Sequence, residues 1–137
     1  MNAGDLPDTV THPAHYCAGG VEPIDFIRPY RLEFSLGSVI KYVTRYRRKC
    51  SAIEDLQKAR QYIAFARHRP TLRHTPATYG RLNNLGTLGT RVIQAVVAAH
   101  ETDSGAHMHT QLDVADEALC LMIRDLQRDA EAEGDPE

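Results

Sequence analysis

The chain has 137 residues, 42% of them hydrophobic and 25% charged, which excludes wholesale disorder and suits one globular domain. Three widely spaced cysteines exclude a disulfide scaffold, and neither a signal peptide nor a run of ~20 apolar residues is present, so we expect a cytoplasmic protein without a membrane partner. The net charge of −2 hides an asymmetry: residues 28–73 hold 12 basic and three acidic residues, whereas residues 100–137 hold 11 acidic and two basic residues. This pattern favours an acidic tail packed on a basic surface, a basic surface that binds an anion, or a merely solvated distribution of charge.

Helices dominate the first half of the chain, after an arm over residues 1–20 that prolines and glycines keep extended or looped. A short helix is predicted from residue 21 to 28, with Pro23 in its first turn and Pro29 at its end. A second helix is predicted over residues 35–49, with Ser35 as its cap and apolar residues at helical spacing.

Three further helices follow. Ser51 and Glu54 form a capping box for a helix that ends near residue 68. A helix over residues 79–100 contains two glycines that allow an initial break, and a last helix covers residues 111–132. The fold prediction is all-α: a helical bundle of about five helices with an extended N-terminal arm. It forms one domain over 1–137, with a motif region at 12–68 and a C-terminal helical hairpin at 69–137.

The arm carries three ring side chains close together in the sequence, His12, His15 and Tyr16. Imidazole can donate hydrogen bonds to phosphate or transfer a proton near neutral pH. Pro13 restricts the backbone between the two histidines. The alternative is a surface loop with histidines that have no function.

The second predicted helix carries Lys41, Arg45 and Arg48 on roughly one face, at i, i+4 and i+7. Guanidinium groups bind phosphate through two hydrogen bonds, and lysine binds it as a point charge. Tyr42 beside this face could stack on a base or a sugar, and Lys49 adds charge. A solvated basic face and nucleic-acid binding are the alternatives.

The third predicted helix carries Glu54, Asp55, Lys58 and Tyr62. Either carboxylate is spaced to pair with Lys58, in an exposed salt bridge that contributes little. The functional interpretation is that Asp55 orients a cation of the second helix, or that Lys58 joins a phosphate site.

Carboxylates could also hold Mg²⁺. Glu22 and Asp25 are spaced to share a helix face, as are Asp113 and Asp116 (or Glu117). The run from Leu112 to Leu119 is similar to the metal-binding helix of MazG-like all-α nucleotide pyrophosphohydrolases, which gather acids from two helices around magnesium. Carboxylate pairs of this spacing are also common on solvated helix faces.

Four segments, HPAHY, GGVEPIDFI, LGSVIKYVTRYRRK and EDLQKARQYI, together resemble a family of small phage proteins over residues 12–65. This family (SaV-like, formerly a domain of unknown function) includes the nucleotide kinase of a T-odd coliphage. The resemblance implies phosphoryl transfer from a nucleoside triphosphate to a deoxynucleoside monophosphate without a Walker motif. It also implies an oligomer in the host cytoplasm.

From the residues and this resemblance together, the predicted catalytic residues are His12, His15, Lys41 and Arg45. The predicted nucleotide-binding residues are Tyr16, Tyr42, Lys49, Asp55, Lys58 and Tyr62, and the predicted metal-binding residues are Glu22 and Asp25. Two departures from the family pattern affect the site: Ser38 stands where the family has asparagine, and Cys50-Ser51-Ala52 replaces a glycine-rich turn. The remaining function classes are a MazG-like pyrophosphohydrolase and a non-catalytic nucleotide or nucleic-acid binder.

Overall fold

The computed structural model describes residues 6–17, 20–68 and 73–134, and within them every regular element is a helix. The all-α prediction is therefore confirmed. The chain divides into two compact units, and the boundary between them falls between residues 71 and 72. Residues 6–68 are called the N-terminal unit below, and residues 73–134 the C-terminal unit. The prediction of a single domain over 1–137 stays a prediction. The helices are α1 Asp8–Thr11, α2 Ala14–Cys17, α3 Pro23–Tyr30, α4 Phe34–Arg45, α5 Ala52–Arg67, α6 Pro76–Leu82, α7 Gly86–Glu101 and α8 Gly105–Glu133.

The described part of the N-terminal arm contains two single helical turns where the sequence predicts an extended or looped segment. The carbonyl of Pro7 accepts hydrogen bonds from the backbone N–H groups of Val10 and Thr11, which closes α1. The carbonyl of Pro13 accepts one from the N–H of Tyr16 at 2.9 Å, and this starts α2. Each proline thus lies just before a turn, where its missing N–H does no harm.

Helix α3 continues one residue past Pro29, the residue at which the sequence predicts its end. Pro23 occupies the first turn, as predicted. Pro29 falls in the last turn, so its missing N–H removes one backbone bond near the end. The helix then stops at Arg31, which adopts a left-handed conformation with φ 52°.

The caps of the next two helices differ from the predicted ones. Glu33, not Ser35, caps α4: its carboxylate accepts hydrogen bonds from the N–H groups of Ser35 and Leu36 at 2.9 and 3.0 Å. These bonds lower the pKa of Glu33, since they favour its charged form. Ser51 precedes α5 but its side chain makes no capping hydrogen bond, so the prediction of a capping box with Glu54 is wrong.

Helices α4 and α5 pack against each other through a polar seam. Ser38 on α4 and Asp55 on α5 are buried, and Ala59 is the aliphatic residue buried beside them. Helix α3 packs on α4 at Gly37, where a Cβ atom would lie 3.2 Å from Cγ2 of Ile27. Helix α2 also contacts α4.

The C-terminal unit consists of α6, α7 and α8. The predicted helix over residues 79–100 is broken near its glycines, because Asn84 and Gly86 take positive φ angles of 53° and 69°. Helix α7 packs on α8, and the buried apolar residues of this unit are alanines of these two helices: Ala95, Ala99, Ala115 and Ala118. Ser104 caps α8, which begins six residues earlier than predicted. None of the described helices has the length and apolar character that crossing a membrane requires.

Candidate functional site

A cavity of about 280 Å³ lies between α3 and α4. We call it the α3–α4 cavity. Its apolar wall comes from both helices and the connection between them, and a polar edge surrounds that wall. Tyr16 and Lys41, both predicted site residues, lie on this edge, together with Glu22. The remaining lining residues are Pro23, Ile24, Ile27, Leu32, Glu33, Phe34, Gly37 and Ser38.

A buried ion pair joins α4 to α5 beside this cavity. The Nη2 atom of Arg45 donates to Oδ1 of Asp55 at 2.9 Å, and Nε donates to Oδ2 at 3.2 Å. The two side chains are 12% and 2% exposed. The Nη1 atom of Arg45 also donates to the hydroxyl of Tyr16 at 3.4 Å. Asp55 therefore orients a basic residue of the second helix, as its sequence position suggests, and Arg45 connects that pair to the arm.

Burial lowers the pKa of Arg45, but the hydrogen bonds to Asp55 and Tyr16 outweigh this effect and leave the pKa raised. The guanidinium is thus held in its charged form. The carboxylate of Asp55 already neutralises this charge. Arg45 is therefore better suited to positioning other groups than to binding phosphate directly.

Three cations of the site surround a single tyrosine ring. The Nζ atom of Lys41 and the Cζ atom of Arg45 each lie 4.6 Å from the centroid of Tyr42, and Nζ of Lys58 lies 5.7 Å from it. The face of an aromatic ring attracts cations, so Tyr42 helps to hold three like charges together. The structure thus brings four of the predicted site residues into one cluster.

The three cations differ in their ionic partners. Lys58 pairs with Glu54 at 2.7 Å, in an exposed i,i+4 contact, and the hydrogen bond to Glu54 raises the pKa of Lys58. Asp55 pairs with Arg45, not with Lys58. Among the residues that the structure describes, Lys41 makes no ion pair. It is therefore the cation of the cluster best placed to meet an anion in the α3–α4 cavity.

Tyr62 lies at the centre of an aromatic group. Its ring stacks on Tyr42 with the centroids 5.7 Å apart and meets Phe34 and Phe65 edge-on at 5.6 Å. Since Phe34 also lines the cavity, this group continues the cavity wall towards α5. Tyr62 is thus placed to support Tyr42.

The two histidines of the arm have opposite surroundings. Nδ1 of His12 lies 2.7 Å from Oε1 of Glu22, and this hydrogen bond, together with the charge of Glu22, raises the pKa of His12. The ring of His15 lies 4.2 Å from that of Tyr16. Desolvation lowers the pKa of His15, and the positive charges of Lys49 and Arg45 lower it further. His15 therefore favours its neutral form. Lys49 contributes to this preference, because its positive charge lowers the pKa of His15.

The two predicted metal ligands line different depressions of the surface. Glu22 lines the α3–α4 cavity and contacts His12. Asp25 lies in a separate surface depression with Arg28 and Arg31. Across the described residues, no group of three or more histidine, cysteine, aspartate or glutamate side chains could hold a metal ion. The binding of magnesium by Glu22 and Asp25 stays a prediction.

Sequence reasoning missed most of the cavity wall. Glu33 lies on its edge, and Phe34, Ile24, Ile27 and Leu32 supply apolar surface. Ile24 and Ile27 belong to the apolar pattern of α3, which predicts burial and not a ligand cavity. The one available signal was Glu33 directly before an apolar helix, at the position where a carboxylate can cap.

Residues 10–64 match the model of a family described as a protein of unknown function (DUF3310). The matched range runs from α1 into α5 and includes the cation cluster and the residues that line the α3–α4 cavity. No curated protein and no solved structure matches the chain.

Proposed function

We propose that the N-terminal unit binds a nucleotide and transfers a phosphoryl group to it, as a nucleoside monophosphate kinase without a P-loop. The observation that carries the proposal is the position of Lys41. This lysine lies on the edge of an apolar cavity, has no ion pair among the described residues, and belongs to a cluster of three cations. The resemblance of four motifs in this range to a phage nucleotide kinase family supports the choice of reaction.

The cavity and the cations suit different parts of a nucleotide. A largely apolar wall with few polar groups at its edge is typical of a small-molecule site. A base or a sugar would contact Phe34 and Tyr16, whereas phosphate oxygens would contact Lys41 and then Lys58. Lysine binds phosphate as a point charge, and hydrogen bonds to charged groups contribute about 1.5–3 kcal/mol each.

In the proposed reaction, an oxygen of the monophosphate attacks the γ-phosphorus of the triphosphate. The bond from that phosphorus to the β–γ bridging oxygen breaks, and two nucleoside diphosphates result. Negative charge is spread over the transferred group, so fixed cations accelerate the step by position and electrostatics. Lys41 and Lys58 would supply this charge, and the Arg45–Asp55 pair would hold α4 and Tyr16 in place.

The histidines would have separate roles in this proposal. His15, whose pKa is lowered, would stay neutral near pH 7 and could accept a proton or a hydrogen bond at the phosphate. His12, paired with Glu22, would fix the arm beside the cavity. Any Mg²⁺ would enter with the triphosphate, because magnesium is commonly held by substrate phosphates.

The reaction is tested by incubating the protein with each nucleoside triphosphate, with and without a deoxynucleoside monophosphate, and separating the products. Diphosphates that form only with the acceptor support the kinase. Monophosphate and pyrophosphate formed without an acceptor would instead indicate a pyrophosphohydrolase, and no turnover in the presence of binding would indicate a non-catalytic binder.

The binding site is tested by calorimetric titration of nucleotides into variants. We expect Lys41→Ala to weaken binding at least tenfold, which corresponds to ~1.4 kcal/mol. Lys41→Arg should retain much of the affinity, because the positive charge remains. Arg60→Ala removes an exposed cation from a different surface of α5 and serves as the control. Equal affinity in the Lys41→Ala variant and the unmodified protein would remove Lys41 from the phosphate site.

A further inference from the structure

Ser38 is a buried polar residue in the wall of the α3–α4 cavity. It is only 5% exposed, and most of the residues around it in that wall are apolar. Its hydroxyl makes no hydrogen bond with the part of the chain that the structure describes. Buried polar groups are usually paired, because an unpaired one costs free energy. The hydroxyl of Ser38 is thus available to a ligand.

The Oγ atom of Ser38 can be reached from the cavity. Among the described residues that are not exposed, every side-chain oxygen or nitrogen that is fully shielded from solvent has a hydrogen-bond partner. Because the Oγ atom of Ser38 has no such partner, it is not fully shielded. The open space that this residue lines is the α3–α4 cavity, so a molecule in the cavity can contact Oγ.

Lys41 lies one helical turn after Ser38 and also lines the cavity. Residues three apart share a helix face, so the hydroxyl and the ammonium group are neighbours on α4. One is a neutral hydrogen-bond donor, and the other is a cation that makes no ion pair among the described residues. A hydrogen bond to a charged acceptor is stronger than one between neutral groups. The two side chains together therefore suit one phosphate group.

The charges along the edge of the cavity give such a ligand a direction. Glu33 caps the start of α4, and Lys41 lies eight residues later, ~12 Å along the helix axis. Glu33 repels an anion and Lys41 attracts one. Glu22, the other carboxylate of the edge, is paired with His12. An anionic group would therefore bind at Ser38 and Lys41, and the uncharged part of the ligand would lie on the apolar wall towards Glu33.

We propose that Ser38 and Lys41 bind the phosphate of the acceptor, so that the α3–α4 cavity holds the nucleoside monophosphate and not the triphosphate. This inference rests on the proposed kinase function. The cavity, at about 280 Å³, is at the lower end of the range for small-molecule sites, ~300–1,000 Å³. It therefore has room for one nucleoside. Ser38 would be the residue that distinguishes the two substrates.

The triphosphate would bind outside the cavity, at Lys58. The Nζ atom of Lys58 lies 5.7 Å from the ring centroid of Tyr42, and Nζ of Lys41 lies 4.6 Å from it. Lys58 is not one of the residues that line the cavity, and its side chain is 42% exposed. Lys41 belongs to both groups, because it lines the cavity and contacts Tyr42. Ser38 would thus serve the acceptor, Lys58 the donor, and Lys41 both.

The stability of a Ser38→Ala variant separates a ligand-binding hydroxyl from a structural one. The substitution removes an unpaired buried donor and places a better helix former in α4. The urea midpoint of the variant should therefore equal or exceed that of the unmodified protein. A clearly lower midpoint would assign the hydroxyl a structural role and would overturn the proposal.

Binding is tested by calorimetric titration of each deoxynucleoside monophosphate and of a non-hydrolysable triphosphate analogue. We expect Ser38→Ala to weaken monophosphate binding at least tenfold and to leave triphosphate binding within threefold of the unmodified protein. Lys58→Ala should have the opposite effect. Ser51→Ala, which removes an exposed hydroxyl before α5, is the matched control and should change neither affinity. In a turnover assay, Ser38→Ala should raise the KM for the monophosphate at least tenfold and leave the KM for the triphosphate within threefold.

The outcomes distinguish this inference from the proposed function. Monophosphate binding that is weakened by Lys41→Ala but unchanged by Ser38→Ala would overturn the inference and leave the proposed function in place. Equal weakening of both nucleotides by Ser38→Ala would show that the cavity does not select the acceptor, which also overturns it. Failure of the unmodified protein to bind any nucleotide would overturn the proposed function and the inference together.

Discussion

The guanidinium of Arg45 contacts both carboxylate oxygens of Asp55, across the seam between α4 and α5 and out of reach of most solvent. A buried ion pair of this kind is weak evidence of net stabilisation, because removing both charges from water costs about as much as their attraction returns. Removing one partner is different, since it leaves the other charge buried and unpaired. The pair also determines where the arm attaches, through the contact between Arg45 and Tyr16.

We expect Asp55→Leu to destabilise the N-terminal unit by about 3–5 kcal/mol, because Arg45 would then be an uncompensated buried charge. The measurement is urea unfolding followed by circular dichroism. The double variant Arg45→Met/Asp55→Leu is the matched control, and it should lose much less stability than Asp55→Leu alone. Equal losses in the single and double variants would contradict the assignment of the cost to the unpaired guanidinium.

The histidines of the arm should titrate on opposite sides of the ordinary value of ~6.5. We expect an NMR pKa above this value for His12, chiefly because of its hydrogen bond to Glu22, and below it for His15, chiefly because of desolvation. A raised pKa means that the folded state holds the proton more tightly. The contribution of His12 to stability is therefore complete below pH ~6.5 and is lost as the pH rises through its folded pKa.

Variants assign these shifts to their causes. Glu22→Gln should return the pKa of His12 towards 6.5, and Lys49→Gln should raise that of His15. Each substitution should leave the other histidine nearly unchanged. The interpretation fails for His12 if its pKa stays raised in the Glu22→Gln variant.

Gly37 offers a way to fill the α3–α4 cavity. A Cβ atom at this position would lie 3.2 Å from Cγ2 of Ile27, so alanine requires a small shift of a side chain, whereas leucine must also enter the cavity. We expect Gly37→Leu to weaken nucleotide binding at least tenfold, or ~1.4 kcal/mol, while Gly37→Ala stays within threefold of the unmodified protein. Calorimetric titration measures both, and circular dichroism confirms that the variants are folded. Full affinity in Gly37→Leu would place the nucleotide elsewhere.

Gly80 is required where α6 packs on α7. A Cβ atom there would lie 2.2 Å from Oγ1 and 2.8 Å from Cγ2 of Thr90. We expect Gly80→Ala to destabilise the C-terminal unit by about 1–3 kcal/mol, as overpacked substitutions do. Thermal unfolding measures the loss. Gly105→Ala, which places its Cβ in open space at the start of α8, should cause no loss.

A further variant separates this clash from a loss of glycine flexibility. Thr90→Ala removes two of the three atoms nearest to the new Cβ. Adding Gly80→Ala to a Thr90→Ala background should therefore cost less than adding it to the unmodified protein. An equal loss of stability in both backgrounds would show that Gly80→Ala destabilises the unit through the backbone of α6 and not through a clash with Thr90.

The helices of the fold could be predicted from apolar spacing, whereas their ends could not. The spacing of Leu36, Val39 and Val43 identifies α4 correctly. The cap was misassigned because Ser35 is the commoner capping residue, and only the backbone path shows that the longer side chain of Glu33 reaches the same N–H groups. Similarly, Ser51 has the right identity but the wrong backbone angles for a capping bond.

The break between α6 and α7 was only partly predictable. The sequence identifies Gly86 as a weak point of a longer helix. The positive φ of Asn84, however, depends on how α6 turns back to place Gly80 against Thr90. Such a contact between residues distant in the sequence has no local signal.

In the candidate site, too, local spacing predicts which residues share a helix face but not which residues they contact across the fold. Helical spacing predicts that Lys41 and Arg45 lie on one side of α4, and both contact the ring of Tyr42 there; Asp55 pairs with a basic residue of α4, as its position suggests. The spacing of Glu22 and Asp25 suggests a pair, but Glu22 contacts His12 and lines the cavity, whereas Asp25 lines a separate depression with Arg28. The binding partner of a carboxylate depends on tertiary contacts, and the spacing of residues along a helix does not reveal these contacts.

The alanines buried on α7 and α8 have a thermodynamic consequence. An alanine side chain has no rotamers to lose on burial, whereas leucine or methionine loses about 0.5–2 kcal/mol of side-chain entropy. At these four positions the contact between the helices therefore orders almost nothing except the backbone. The small attraction of each alanine methyl group is partly offset by this low entropic cost, and larger side chains such as Met122 pack beside the alanines and are only partly buried.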